Sequence, residues 1–232
     1  MTNYPIGAIK VLDHGFVKMV DCMGGDLSIV QAARISYGAG TKTAREDAGL
    51  INYLMRNDHT SPFEMVEFKF HIKMPIFVAR QWVRHRTASI NEVSARYSVL
   101  PNEFYIPNIS NICAQSKTNK QGSADPLPET KALAIQELIT VNSATNYSYY
   151  EELLALGLSR ELARMVLPLN IYTEWYWKAN LHNTLHFLKL RLDSHAQYEI
   201  RAYAIVLAGM LEQSCPVTYK AFIDHKLAGQ KP

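Results

Sequence analysis

Val66-Glu67-Phe68-Lys69-Phe70-His71-Ile72-Lys73-Met74 alternates apolar and polar side chains without a break. Successive side chains of a strand point to opposite faces, so this period-2 pattern predicts a strand with one buried and one wet face. Pro75 is expected to stop it, and a helix from Ile76 to about His85 to follow, with Gln81, Arg84 and His85 at i, i+3 and i+4 on one side. Upstream, His59, Thr60, Ser61 and Pro62 read as a turn. Before it, a helix from Ala44 to Arg56 is capped by Thr43 and ended by Asn57 and Asp58, with Leu50, Ile51, Leu54 and Met55 as its apolar face. An earlier helix runs from Leu27, capped by Asp26, to about Tyr37, with Gly38 after it.

Downstream, residues 108–127 are rich in Asn, Ser, Lys and Gly and read as a long surface loop. A helix from about Glu129 to Leu156 is ended by Gly157, and a shorter one capped by Ser159 reaches Val166. Ile171 to Ala179 reads as a second strand, with Trp175 and Trp177 on one face and Tyr172 and Tyr176 on the other. Helices over 181–190, 196–214 and 217–227 close the chain. No repeat or linker divides it, so a single α+β domain over residues 1–232 is expected.

The 232 residues are 48% hydrophobic, enough for one sizeable core, and 13 Tyr and 8 Phe argue against disorder. A net charge of +3 is too small for a broad basic face, so no nucleic-acid partner is expected. The positive charge is local instead: Arg80, Arg84, Arg86 and Arg96 fall within seventeen residues, with Glu92 the only acid among them. Such a cluster suits a small polyanion. Cys22, Cys113 and Cys215 form no CxxC pair, which fits a reducing cytoplasm. The N-terminus lacks a secretory signal pattern, and no segment has the apolar length of a membrane span, so a soluble protein without membrane contact is expected.

Several motifs are absent. There is no GxGxxG or GxSxG, and Gly38-Ala39-Gly40-Thr41-Lys42-Thr43 lacks the spacing of a phosphate loop. His182 and His186 share a helical face and His195 follows, but position 183 is Asn where a zinc protease motif has Glu. No metal is therefore expected. A metal-dependent phosphohydrolase built on His59, His182, His186 and His195 is the second reading, and a non-catalytic nucleotide binder using the arginines alone the third.

The chemistry concentrates in Arg84-His85-Arg86-Thr87-Ala88-Ser89-Ile90-Asn91-Glu92-Val93-Ser94-Ala95-Arg96. Guanidinium forks grip phosphates and carbonyls, while Ser89, Asn91 and Ser94 add neutral hydrogen-bonding groups. The arginines flank the apolar Trp82 and Val83, and burying cations without anionic partners is costly. A ligand that supplies the missing negative charge is the expectation.

This run resembles the RHRxxSxNExSxR signature of the flavin-dependent thymidylate synthases (ThyX) at every defined position. His59-Thr60-Ser61-Pro62-Phe63-Glu64, Leu162-Ala163-Arg164, Val166-Leu167-Pro168-Leu169-Asn170, Leu190-Arg191 and Asp193-Ser194-His195-Ala196-Gln197 extend the resemblance over nearly the whole chain. It implies the thymidylate synthase-complementing protein fold, a mixed β-sheet flanked by long helices, in a homotetramer with active sites at subunit interfaces. It also implies methylation of dUMP to dTMP, with methylenetetrahydrofolate as carbon donor and FADH2, regenerated by NADPH, as hydride donor.

By the same resemblance, Gln81, Arg84, Glu92, Val93, Ser94, Ala95, Arg96, Arg164 and Arg191 look like the dUMP set, with Arg191 the principal catalytic residue. Ser61, Arg84, His85, Arg86, Asn91, Glu92, Asn180, Leu181, His182 and His186 look like the FAD set, and His59 and Glu64 are placed near the flavin or folate. Ser94 has no activating base in the sequence and is expected to bind rather than attack. The cysteines sit in no basic run that would generate a thiolate, which disfavours a cysteine nucleophile.

Overall fold

The computed structural model describes residues 4–35 and 44–227. Five strands, β1 (Ile9–Val11), β2 (Gly15–Met23), β3 (Glu67–Pro75), β4 (Ser89–Glu92) and β7 (Tyr172–Asn180), form a sheet in the order β1-β2-β3-β7-β4. Every pairing is antiparallel, a correction to the mixed sheet expected from the resemblance. A separate ribbon of β5 (Cys113–Gln115) and β6 (Ser123–Pro126) occupies the stretch read as a plain loop.

β3 is central because its alternation is complete. Val66, Phe68, Phe70, Ile72 and Met74 are fully buried, and β7 answers with Trp175, Trp177 and Ala179 on the same face. The helices α6 (Leu181–Arg191), α7 (Tyr198–Ser214) and α8 (Pro216–Lys226) lie on the chain after β7 and share this core. Trp82 is its hub: it stacks on Phe187 at 4.4 Å and meets Trp175, Trp177 and Tyr203 edge-on. Truncating such a residue to Ala costs about 3–5 kcal/mol. A second cluster, including Leu100, Phe104, Tyr147, Tyr150 and Ile171, ties the long α4 (Glu129–Ala155) to the segment after β4.

Three strands of the sheet had no clean sequence signal, β1 because it is only three residues long. In β2 the register slips between Met19 and Asp21, and the bulge breaks the alternation. All four residues of β4 are exposed, so neither face imposes an apolar period. The helix α3 is shorter than expected, Ile76–Trp82 rather than reaching His85. Its apolar spacing, Val78, Ala79 and Trp82, runs out at Val83, and the His85 N–H donates to the Trp82 carbonyl as the chain turns away. Gln81, Arg84 and His85 therefore do not share a helical face.

Other boundaries follow the sequence. The helix α2 (Ala44–Arg56) ends in a paired hydrogen-bond cap, His59 N–H to Leu54 O and Asp58 N–H to Met55 O, with Asp58 at φ 56°. The helix α4 ends the same way, with Gly157 at φ 87°. The first helix, α1, spans Asp26–Ile35. Both Asp26 carboxylate oxygens also accept from the N-terminus of α8, at Val217 N–H (2.9 Å) and Thr218 N–H (3.0 Å). The short α5 (Arg160–Ala163) passes into a 3-10 turn, Arg164–Val166, and a similar turn covers Ser61–Met65. The Thr43 cap, the helix end at Tyr37 with its Gly38, and the 38–43 run lie outside the described residues.

Candidate functional site

The turn after α3 and the first face of α6 meet over a cleft of about 390 Å³, lined among others by Arg84, His85, Arg86, His182, His186 and Arg191. Arg191 is half-buried at the last turn of α6. Its Nε donates to His85 Nε2 at 3.1 Å and its Nη2 to the Gln81 carbonyl at 3.3 Å. The histidine has to be neutral to accept. Burial, with Arg191 and His186 beside it, lowers its pKa to about 4, so at neutral pH Nε2 is a free acceptor. Burial also lowers the Arg191 pKa, from a value so high that the guanidinium keeps its charge. The result is a cation fixed in direction by two uncharged acceptors, with no carboxylate neutralising it among the described residues.

Arg84 and Arg86 are exposed, as is Arg96, and none of the three forms an ion pair among the described residues. Their exposure removes the burial cost expected of these cations, while their lack of anionic partners stands. Trp177, which also lines the cleft, keeps a buried indole N–H without an acceptor.

A second cavity, a groove of about 540 Å³, lies where β4 runs out. Glu92, Val93, Ser94, Ala95, Arg96 and Arg164 all line it. Thr173 on β7 donates to Glu92 at 2.6 Å, and the Val93 N–H donates to the Glu174 carbonyl, which pins the start of the loop. Tyr97 and Ser98 N–H groups close a turn on the Ser94 carbonyl. The Arg96 guanidinium meets only its neighbour Tyr97, and that of Arg164 only the Glu161 carbonyl. The expected dUMP set is thus divided: Arg84 and Arg191 line the cleft with Gln81 behind them, and the other six line the groove.

Comparison with known proteins decides the family. The sequence model described as "Thymidylate synthase complementing protein" matches residues 18–217. A flavin-dependent thymidylate synthase of Ehrlichia ruminantium (strain Gardel) is 58% identical over 221 residues, covering 95% of this chain and 74% of that protein. The chain belongs to the flavin-dependent thymidylate synthase family. A further member, from Wolbachia pipientis wMel, is 57% identical over 219 residues, 94% of this chain and 77% of the other. Among solved structures, the UMP/dUMP methylase PolB from Streptomyces cacaoi bound with 5-Br dUMP matches with TM-score 0.86 and 32% identity, over 94% of this chain and 98% of that one.

The remaining residues expected of a flavin-dependent thymidylate synthase are placed unevenly. His182 and His186 line both the cleft and a smaller neighbouring chamber, which His59 also lines. Glu64 accepts from Thr60 at 3.2 Å, and Ser61 is exposed at the start of its 3-10 turn. Asn180 caps α6 by accepting from the Asn183 N–H at 2.9 Å. Leu181 is wholly buried, its N–H donates to the Val66 carbonyl, and it lines neither the cleft nor the groove. Asn91 lines neither cavity but a third, of about 360 Å³, on the outer sheet face.

Three residues escaped the sequence reading. Thr173 orients Glu92, Asn183 lines the cleft beside His182, and Trp177 forms part of the same wall. The inward Trp177 was legible only as core, and Thr173 carries no signal until β4 is paired with β7. Among the described residues no three His, Cys, Asp or Glu side chains gather as a metal site, and His195 turns to Asp193 instead. No described helix is long and apolar enough to cross a membrane.

Proposed function

We propose that the chain, acting as one domain over residues 1–232 in a reducing cytoplasm, methylates dUMP to dTMP. Its carbon donor is methylenetetrahydrofolate, and its reductant is FADH2 regenerated by NADPH. The observation that carries this reading is Arg191, a fixed and unneutralised cation beside arginines that lack anionic partners.

The cleft suits FAD by the chemistry of its donors. Arg84 and Arg86 are free for phosphates, and His85, His182 and His186 supply ring nitrogens. Trp177 contributes an aromatic wall with an unsatisfied N–H. Bound there, the reduced flavin supplies the hydride for the methylation. Every other role falls to side chains. Arg191 faces the uracil ring and stabilises the negative charge left when N3 loses its proton, charge that delocalises toward C5 and makes that carbon the nucleophile for the donated methylene. His85, unprotonated, holds that guanidinium in place. Ser94 and Arg96 take the dUMP phosphate, Arg164 assists, and Glu92, held by Thr173, accepts from the nucleotide.

The division of the dUMP set between cleft and groove supports a homotetramer in which one copy's groove completes another copy's cleft. The test is the visible spectrum of protein supplied with FAD and freed of unbound dye. A flavin band that bleaches with NADPH, followed by dTMP formation, is the expected result. Colourless protein without turnover would overturn the reading.

A further inference from the structure

Glu92 ends the edge strand β4, where it pairs with Trp175 of β7. Thr173 stands two residues back along β7, so it shares a sheet face with Trp175 and is the diagonal neighbour of Glu92. Its hydroxyl donates to Glu92 Oε1 at 2.6 Å and makes no other hydrogen bond among the described residues. The second carboxylate oxygen, Oε2, has no partner among those residues. Thr173 is buried and Glu92 exposed, so the strand pairing holds one end of the contact while the groove holds the other.

The chemistry of dUMP limits what the free oxygen can accept. The nucleotide carries two hydrogen-bond donors, N3–H and the 3′-OH. Arg191 faces N3 from the cleft, while Ser94 and Arg96, which take the phosphate, follow Glu92 closely in the same groove. The 3′-OH is therefore the donor left for Glu92. A carboxylate with both oxygens free can grip the cis-diol of a ribose, one oxygen to each hydroxyl. With Oε1 already held by Thr173, one oxygen remains for one hydroxyl. The groove is otherwise walled in part by Ile76, Leu167 and Ile171, whose side chains offer a second hydroxyl nothing.

We infer that Thr173 determines the choice of sugar: by occupying one oxygen of Glu92 it matches the site to a 2′-deoxyribose and leaves the 2′-OH of a ribonucleotide without an acceptor. The inference rests on the proposed methylation of dUMP and supplies the means by which that nucleotide is selected over UMP. Thr173 acts through Glu92, so it is a positioning residue. A hydroxyl buried without a partner costs binding, and a site that rejects one added hydroxyl this way discriminates by roughly 10–100-fold.

Calorimetric titration of the FAD-loaded protein with dUMP and with UMP reads the inference as a ratio of affinities. The unsubstituted protein should favour dUMP by roughly 10–100-fold. In Thr173→Val, which keeps the β-branched shape, the freed Oε1 takes the second hydroxyl, and the ratio should fall about tenfold, as one hydrogen bond to a charged group implies. Thr173→Ser returns the hydroxyl and should return the ratio. The same shifts are expected in kcat/KM for the two nucleotides. A residue that served the fold alone would weaken both nucleotides together, so an unchanged ratio in Thr173→Val would overturn the inference. Equal affinity of the unsubstituted protein for dUMP and UMP would do the same. As a further probe, 2′-fluoro-2′-deoxyuridine monophosphate fills the 2′ position without an O–H to satisfy and should bind like dUMP. Its rejection as strongly as UMP would assign the choice to a steric wall instead of to Thr173. Protein that keeps the affinity ratio yet forms no dTMP would strike the methylation reading and leave the sugar selection standing, so the two failures are distinguishable.

Discussion

In the cleft, Arg191 is half-buried and donates to two fixed acceptors, whereas in the groove Arg96 and Arg164 are exposed and their guanidinium groups meet only residues near them in sequence. A cation already aimed stabilises developing charge without reorganising, which is where electrostatic catalysis draws its strength. An exposed arginine has rotamer freedom to lose when it grips a ligand, so its contribution is to affinity. The contrast separates a group that acts on the rate from groups that act on binding, although all three are the same residue type.

Replacing the fixed cation should therefore have the largest effect. Arg191→Ala is expected to lower kcat for dTMP formation by at least roughly 10²–10³-fold, the loss typical of a preorganised electrostatic contact, while the flavin band persists. Undiminished turnover would remove Arg191 from the chemistry. Next in size is Arg96→Ala, expected to raise the dUMP KM about ten- to a hundredfold, the worth of one charged hydrogen bond, with a smaller change in kcat. Deoxyuridine, which lacks the phosphate, sharpens the point. Wild type and Arg96→Ala should bind it equally, and a difference would mean that Arg96 serves the ring rather than the phosphate.

The same contrast marks how far the sequence could be read. β3, β7 and the helices around them were legible because one face of each is buried, and burial imposes a period: Phe68, Phe70 and Ile72 could not alternate by accident. β4 lies within the signature run yet has no buried face, so no apolar period marks it as a strand, and α3 ends about one turn before its expected bound in the same stretch. The arginines were found by their spacing in sequence. Their division between two cavities depends on how β4 pairs with β7, a long-range fact that local pattern does not encode. Nor could spacing show that His85 is an acceptor, because its state is set by burial and by Arg191, 106 residues away.

That histidine gives a smaller, measurable effect. Folded, His85 stays unprotonated down to about pH 4, while in the unfolded chain a histidine takes its proton near its ordinary value of 6.5. Between those values the unfolded state binds more protons, so stability falls as pH drops through the window. His85→Gln keeps an acceptor for Arg191 near the position of Nε2 but cannot titrate. Its Tm should fall less steeply than that of the wild type between pH 6.5 and 4. Equal slopes would mean that His85 is protonated in the folded protein and that Arg191 is not held by it.

The smallest effect is expected from the thiols, which line neither the cleft nor the groove. Cys215 is buried, and that burial, with Asp26 and Cys22 adding to it, pushes its thiol up to about 12. Cys22 is raised too, by burial and then by Asp21. A nucleophile must be a thiolate, and these two hold their protons at neutral pH. The triple variant Cys22→Ser, Cys113→Ser, Cys215→Ala should lose about 1 kcal/mol of stability from the emptied Cys215 site and keep its turnover. A folded triple variant that takes up flavin yet makes no dTMP would return the chemistry to a cysteine, and Arg191 would then be a binding residue like those of the groove.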